Sequence, residues 1–367
     1  MVHISDYDLE EARSRFASQW HGLLTSGDFN LSLSPEWLKA ICSGLNVPRT
    51  PNVLVAQRRE EVLGFLPYYI TAGRLLGVPM TIVELGGNLL SYHQEIVAME
   101  CHLELLRECL GRAAPKWHLF IASSIRRDGP TADAMRSLAD EVGGTLLRYS
   151  ADASPYLPIN MSWEQFLSSK SAKFRHNRKR EEQTLRKSGR LDVRWFETAG
   201  DVSQLYDCMM EIESHSWKKS AGIAVSLRPH EQRYYQTLLP FLAERKALFA
   251  NVLYLDDRPI AYNLCYFWNG KVGQLKTSFH EAYHSLSPGS VAIQIALRRA
   301  FELNAKEFDF LGDAQYHKLL WTDRVRHLES HYLFSPRLRS RLIGSIKSVK
   351  QALRPTGFHR IIRRNHG

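Results

Sequence analysis

Apolar positions along the chain alternate between helical spacing and short strand-like runs, and the same succession of elements occurs twice. In the first pass, an amphipathic helix is expected over Asp8–Leu24, followed by a polar break at Thr25–Asn30. Ser34-Pro35-Glu36 opens a second helix, with Ser34 as N-cap and Pro35 at the first helical position. Asn52–Ala56 and Val62–Ile70 read as strands joined by the charged turn Gln57–Glu61. Ile82–Leu85 and Trp117–Ala122 are further strands, and Leu103–Ala113 and Thr131–Val142 are helices, the latter closed by Gly143-Gly144. Ala151–Pro158, with two prolines in a short span, reads as a linker.

The second pass begins with helices at Ser162–Leu167 and Ala172–Ser188, the latter strongly basic. Leu191–Glu197 is strand-like, and helices are expected over Val202–Lys218 and His230–Arg245. Leu248–Leu255, Ile260–Trp268 and Lys271–Phe279 form a meander, its last turn marked by Asn269-Gly270. Val291–Asn304 is a helix and Glu307–Leu311 a strand. One echo links the passes: Asn52-Val53-Leu54 with its turn and following strand parallels Asn251-Val252-Leu253 with its own. The expected architecture is mixed α/β (α+β), with tandem halves at residues 1–158 and 159–335 and a basic tail at 336–367. Each half would hold a mixed, mostly antiparallel sheet flanked by helices.

Composition narrows the class. Among 367 residues, 44% are apolar and 23% charged, enough to bury a core. Five scattered cysteines without a Cys-x-x-Cys pair argue against a disulfide framework or a zinc site. The acidic, amphipathic start does not read as a secretory signal, and no run approaches a spanning length, so a cytoplasmic protein is expected. The net charge of +10 is concentrated at one end. Nine cations follow Pro336 and no Asp or Glu follows Glu329; set aside, they leave 39 of the 48 basic residues against 38 acids. Leu338, Leu342, Ile346, Val349 and Leu353 fall on one helical face of this tail, which would suit an anionic membrane surface or packing on the body.

The stretch Lys271–Lys318 carries the candidate chemistry. A strand stops at Ser287-Pro288-Gly289-Ser290, which opens a helix; such a start aims backbone N–H groups and the positive end of the helix dipole at one point. The same four residues also serve as an ordinary helix cap. No metal is assigned.

Ser287-Pro288-Gly289 before a helix, followed by Phe308-Asp309-Phe310, Gly312-Asp313, Tyr316-x-Lys318 and Trp321, resembles the cellulose-biosynthesis-associated branch of the GNAT superfamily. The resemblance extends to the FemAB-type transferases, which carry two GNAT-like halves. The basic Lys173–Lys187 helix and Ser216-Trp217-Lys218 share in it; Ser34-Pro35-Glu36-Trp37 and Leu66-Pro67 carry it more diffusely in the first half. It implies an acyl-CoA donor and an amine acceptor, with Ser287–Ser290 where the pyrophosphate is cradled. The usual glycine-rich form of that loop is missing. The FemAB side of the resemblance allows an aminoacyl-tRNA donor instead, and a non-catalytic scaffolding module is a third reading.

Amide formation from a thioester needs a base for the amine, donors for the oxyanion and an acid for the leaving thiolate. Asp313, Glu281 and Asp309 at strand ends are the leading carboxylates, with His280 and Glu213 beside His215 as further base candidates. Tyr316 suits the acid, and Lys318 would stabilise negative charge or hold Asp313 in place. Trp217, His280, Tyr92 and His93 are candidate acceptor contacts, the last two because loops after Gly86-Gly87 favour function. Cys208 and Cys265 lie in apolar runs and read as core residues.

Overall fold

The structure, a computed structural model, describes residues 2–27, 29–44, 50–86, 93–114, 116–151 and 153–353. The chain divides into two compact units: Met1–Lys39, Pro48–Asp152 and His327–Gly367 in the first, Ala40–Val47 and Ala153–Arg326 in the second.

The first unit is built on β1 (His3–Asp8), β2 (Asn52–Arg58), β3 (Glu61–Leu75), β4 (Val78–Leu85), β5 (Val97–Ala98), β6 (Leu119–Arg126) and β7 (Thr145–Ser150). The second uses β8 (Ser154–Pro158), β9 (Leu191–Phe196), β10 (Leu248–Leu255), β11 (Arg258–Trp268), β12 (Lys271–Phe279), β13 (Glu307–Asp309) and β14 (Val325–Arg326). The chain then returns to the first unit with β15 (Leu328–Phe334).

The first sheet runs β1-β2-β3-β4-β6-β15-β7, with β5 paired to β3; the second, from its other end, runs β9-β10-β11-β12-β13-β8-β14. Position by position the pairings agree: antiparallel throughout, except for one parallel step, β4–β6 in one sheet and β12–β13 in the other. The Asn-Val-Leu echo falls on β2 and β10, the second strand of each sheet. The fold is therefore mixed α/β with two mixed sheets flanked by helices.

Helices cover these sheets through their apolar faces. In the first unit Leu105, Leu106 and Cys109 of the His102–Ala113 helix and Met135 and Leu138 of the Pro130–Val142 helix bury against Leu54, Leu66, Val83 and Phe120. In the second, Ile293, Ala296, Leu297, Ala300 and Phe301 of the Pro288–Glu302 helix pack on Phe249, Val272, Phe308 and Phe310. Each Leu, Ile, Val, Met or Phe side chain among them contributes roughly 1.5–3 kcal/mol when removed from water.

Four features depart from the sequence reading. The expected linker Ala151–Pro158 contains β8, an inner strand of the second sheet, and β1 was not anticipated. Residues 328–334, assigned to the second half, complete the first sheet. The helix expected to run to Lys218 stops at Ser214 and restarts at Trp217, because the buried Glu213 side chain draws in Lys218 and the Val225 N–H. The tail is helical over Leu338–Leu353, as its spacing predicts, and belongs to the first unit.

Candidate active site

The site forms where two parallel strands part. β12 and β13 pair only from Lys271–Glu307 to Gly273–Asp309, after which β12 continues to Phe279 with that edge free of any strand among the described residues. A β-bulge sits at the point of separation: Leu264 faces Lys276 and Cys265 faces Gln274, leaving Leu275 as the extra residue. Opposite, the chain leaves β13 through Leu311 and Gly312, both in the left-handed region at φ 47° and 57°. Leu311 takes this conformation because the Asp309 carboxylate accepts its N–H at 2.9 Å and Lys318 Nζ donates to its carbonyl.

Between them lies a cleft of about 910 Å³ within the second unit. Its walls are Gln274–Phe279 of β12, Phe310, Gln315–Lys318, Trp217, Lys218, Arg178 within the Ala172–Lys187 helix and the helix start at Gly289. Ser287, at φ 53°, turns the chain into the Pro288–Glu302 helix, and its carbonyl takes the Ser290 and Val291 N–H groups. Pro288 has no N–H, so the Gly289 N–H is the helix-start donor left for the cleft. The Ser290 hydroxyl donates to Glu181 at 2.7 Å and accepts from Arg178. The Arg178 guanidinium also lies over the rings of Phe174 and Trp321 at 5.5 and 5.7 Å, which fixes its plane.

The charged lining is mostly cationic: Arg178, Lys218, Lys276 and Lys318, with Glu181 as the acid. Lys218 is held by a fully buried carboxylate. Its Nζ donates to Glu213 Oε1 at 3.0 Å and to the Thr277 carbonyl at 2.7 Å. Glu213 also accepts from the Tyr262 hydroxyl at 2.8 Å and the Val225 N–H at 3.1 Å. Burial alone would raise the Glu213 carboxyl, but the Lys218 and Lys276 charges and these donors outweigh it and hold it low. Burial and then the Lys276 ammonium bring Lys218 down to about 8. His317 is pushed below its ordinary value by burial and then by Lys318, and Lys318 is itself lowered by burial.

Of the residues singled out from sequence, the cleft gathers Trp217, Ser287, Gly289, Ser290, Tyr316 and Lys318. Pro288, the first residue of the helix, is buried and outside the lining. Asp309 does not reach the cleft. Its carboxylate is buried and bonded by Ser154 at 3.2 Å, the Leu311 N–H and Arg326 at 2.9 Å, an ion pair joining β8, β13 and β14. Asp313 and Glu281 are exposed and outside the lining. His280 stacks on His215 at 4.7 Å, also outside it. His93 is buried in the first unit, and Tyr92 lies outside the described residues. Cys208 and Cys265 are buried with thiols raised by burial, which suits core residues. Arg178, Lys276 and His317 escaped the sequence reading; Arg178 shows there only as one cation among many on a basic helix.

Residues 172–319 match the acetyltransferase (GNAT) domain family, and this stretch contains the parted strands, the helix start and every charged residue of the cleft. The match supports a transferase in the second unit. Among solved structures, FemX shares the fold at 13% identity and a TM-score of 0.59, over 94% of this chain and 100% of that one. A conserved protein of unknown function from Bacteroides thetaiotaomicron VPI-5482 matches at 12% identity and 0.56, over 91% and 100%. L-PGS from Bacillus licheniformis matches at 10% and 0.54, over 92% and 97%. At such identities the likeness is one of fold. Comparison with curated protein sequences finds no match.

Proposed function

We propose that the second unit transfers an acyl group from a CoA thioester to an amine on a cell-envelope precursor, an amino sugar or amino lipid, in the cytoplasm. The observation that carries this reading is the cation-lined cleft between β12 and β13. A polyanionic donor fits Arg178 and the Gly289 N–H at the helix start, and the free edge of β12 offers backbone groups to the amides of an extended arm. The envelope acceptor rests on the resemblance to the cellulose-biosynthesis branch.

In this reading His317 takes the proton of the attacking amine, because its lowered affinity keeps it neutral near pH 7. Lys218, protonated and positioned by Glu213, donates to the oxyanion as the carbonyl is attacked. Tyr316 hands a proton to the departing thiolate. Asp313 and Glu281 then have no part in the chemistry, and Lys318 holds the Leu311 turn. The test is mass spectrometry of amide products from acyl-CoAs of stepped chain length offered amino sugars and amino lipids. Free thiol release matched by one amide product supports the reading; no turnover of any thioester contradicts it.

A second reading, an aminoacyl-tRNA donor, is favoured by one observation. On the basic helix Ala172–Lys187, Glu181 and Glu182 turn inward to Ser290, Gln294 and Arg298. Lys173, Arg175, Lys179, Arg180 and Lys187 are left exposed beside the cleft. RNA binding with a steep salt dependence, abolished by Lys179→Gln with Arg180→Gln, would favour this donor over CoA.

A further inference from the structure

We infer that the Leu338–Leu353 helix is a docking surface for an anionic lipid bilayer. It is mounted on the first unit by one face and turns its apolar stripe outward. Ser340, Ile343, Gly344 and Lys347 face the unit and are buried. Ile343 packs with Met80, Leu119, Tyr332 and Phe334; Ser335 donates to Ser340 at 2.9 Å; and a Cβ on Gly344 would stand 3.2 Å from the Phe334 ring.

On the opposite face Leu338, Leu342, Ile346 and Val349 are 75, 57, 46 and 59% exposed. A helix that only completed a core would turn this stripe inward, since scattered exposed leucines are ordinary but a continuous stripe along three turns is not. Charge decides the occupant. Arg339 and Arg341 are exposed on either side of the stripe, Arg337 precedes it, and the sequence continues with Arg354, Arg360, Arg363 and Arg364 without one acid after Glu329. An apolar stripe with cationic flanks and no anions suits the headgroup boundary of an anionic leaflet, with the helix lying in its plane. A second copy of the chain would bring the same cations against themselves, which disfavours a self-interface. No helix among the described residues is long and apolar enough to cross a membrane, so the contact is a surface one.

The test is co-sedimentation of the full chain with phosphatidylglycerol vesicles and with phosphatidylcholine vesicles, alongside its oligomeric state in solution. The wild type is expected to bind the anionic vesicles and leave the neutral ones. Leu338→Ser, Leu342→Ser and Ile346→Ser together should lower that binding at least tenfold with an unchanged melting temperature, because all three side chains are exposed. Arg339→Gln with Arg341→Gln should lower it on the order of tenfold and flatten its salt dependence. Equal binding by the triple variant, or no preference for the anionic lipid, overturns the inference. So does a solution dimer that the triple variant dissolves without any vesicle binding, since the face is then a self-interface.

Discussion

At the scale of single residues, the chemistry assigned to the cleft has a pH signature. Activity should rise as His317 sheds its proton, at a pH below its ordinary 6.5, and fall as Lys218 sheds its own near 8. His317→Asn should remove the acid limb and Lys218→Met the alkaline one, each at a cost of about 100-fold in kcat. Glu213→Gln keeps the shape but removes the charge that favours protonated Lys218, so the alkaline limb should move to lower pH. A profile unchanged in all three variants would contradict the assignment. A second titrating group bears on stability alone. Burial raises the Glu84 carboxyl to about 7 from an ordinary 4.5. Its neutral form adds stability fully below 4.5, and this is lost as pH rises through 7. Glu84→Gln should therefore be the more stable protein at pH 8, by up to about 3 kcal/mol in urea unfolding, with the difference vanishing near pH 4. An equal offset at both pH values would contradict this. Of the residues proposed from sequence, Trp217, Tyr316, Lys318, Ser287, Gly289 and Ser290 line the cleft, each standing beside a readable element end. Sequence ranked Asp313 first, Glu281 next and Asp309 third among the candidate bases without access to what separates them, which is burial. Glu213 is bonded by Lys218, Val225 and Tyr262, and Asp309 by Ser154 and Arg326, partners brought together by the sheet and not by spacing.

At the scale of elements, the cleft depends on Gly289 for a reason other than ligand approach. A Cβ there would stand 3.0 Å from Cδ1 of Phe279, the last residue of β12. Gly289→Ala should lower the melting temperature, and adding Phe279→Leu should recover part of the loss; additive effects of the two changes would show that they do not touch. A valine would strike Phe279 before it obstructed any ligand, so loss of binding in such a variant has two causes. Most strands and helices were legible from periodicity and turn residues. β8 was not, since Pro155 and Pro158 give the signals of a linker. In the sheet Pro158 ends the strand and Pro155 offers its carbonyl to the Phe310 N–H, so neither needs the donor it lacks.

At the scale of the whole molecule, two sheets with the same order and the same parallel step mark the chain as a repeat of one plan. The three-residue echo between β2 and β10 was its visible trace in the sequence. Less visible was that each sheet takes its sixth strand from across the chain: β15 sits between β6 and β7, as β8 sits between β13 and β14. Nothing in a period-two pattern records which sheet a strand joins. A chain ending at Arg326 lacks β15 and leaves β6 and β7 without their partner, so the first unit should lose amide-exchange protection. Retention of full protection would contradict the topology. The GNAT acetyltransferase match falls in the second unit, and the account stands on what its cleft holds. The most direct measurement is a calorimetric titration of acetyl-CoA and a long-chain acyl-CoA into the wild type and into Arg178→Gln. The account predicts binding of a thioester by the wild type, weakened about tenfold or more when the guanidinium is lost. Absence of heat with either thioester, or equal affinity in both proteins, would contradict a CoA donor in this cleft.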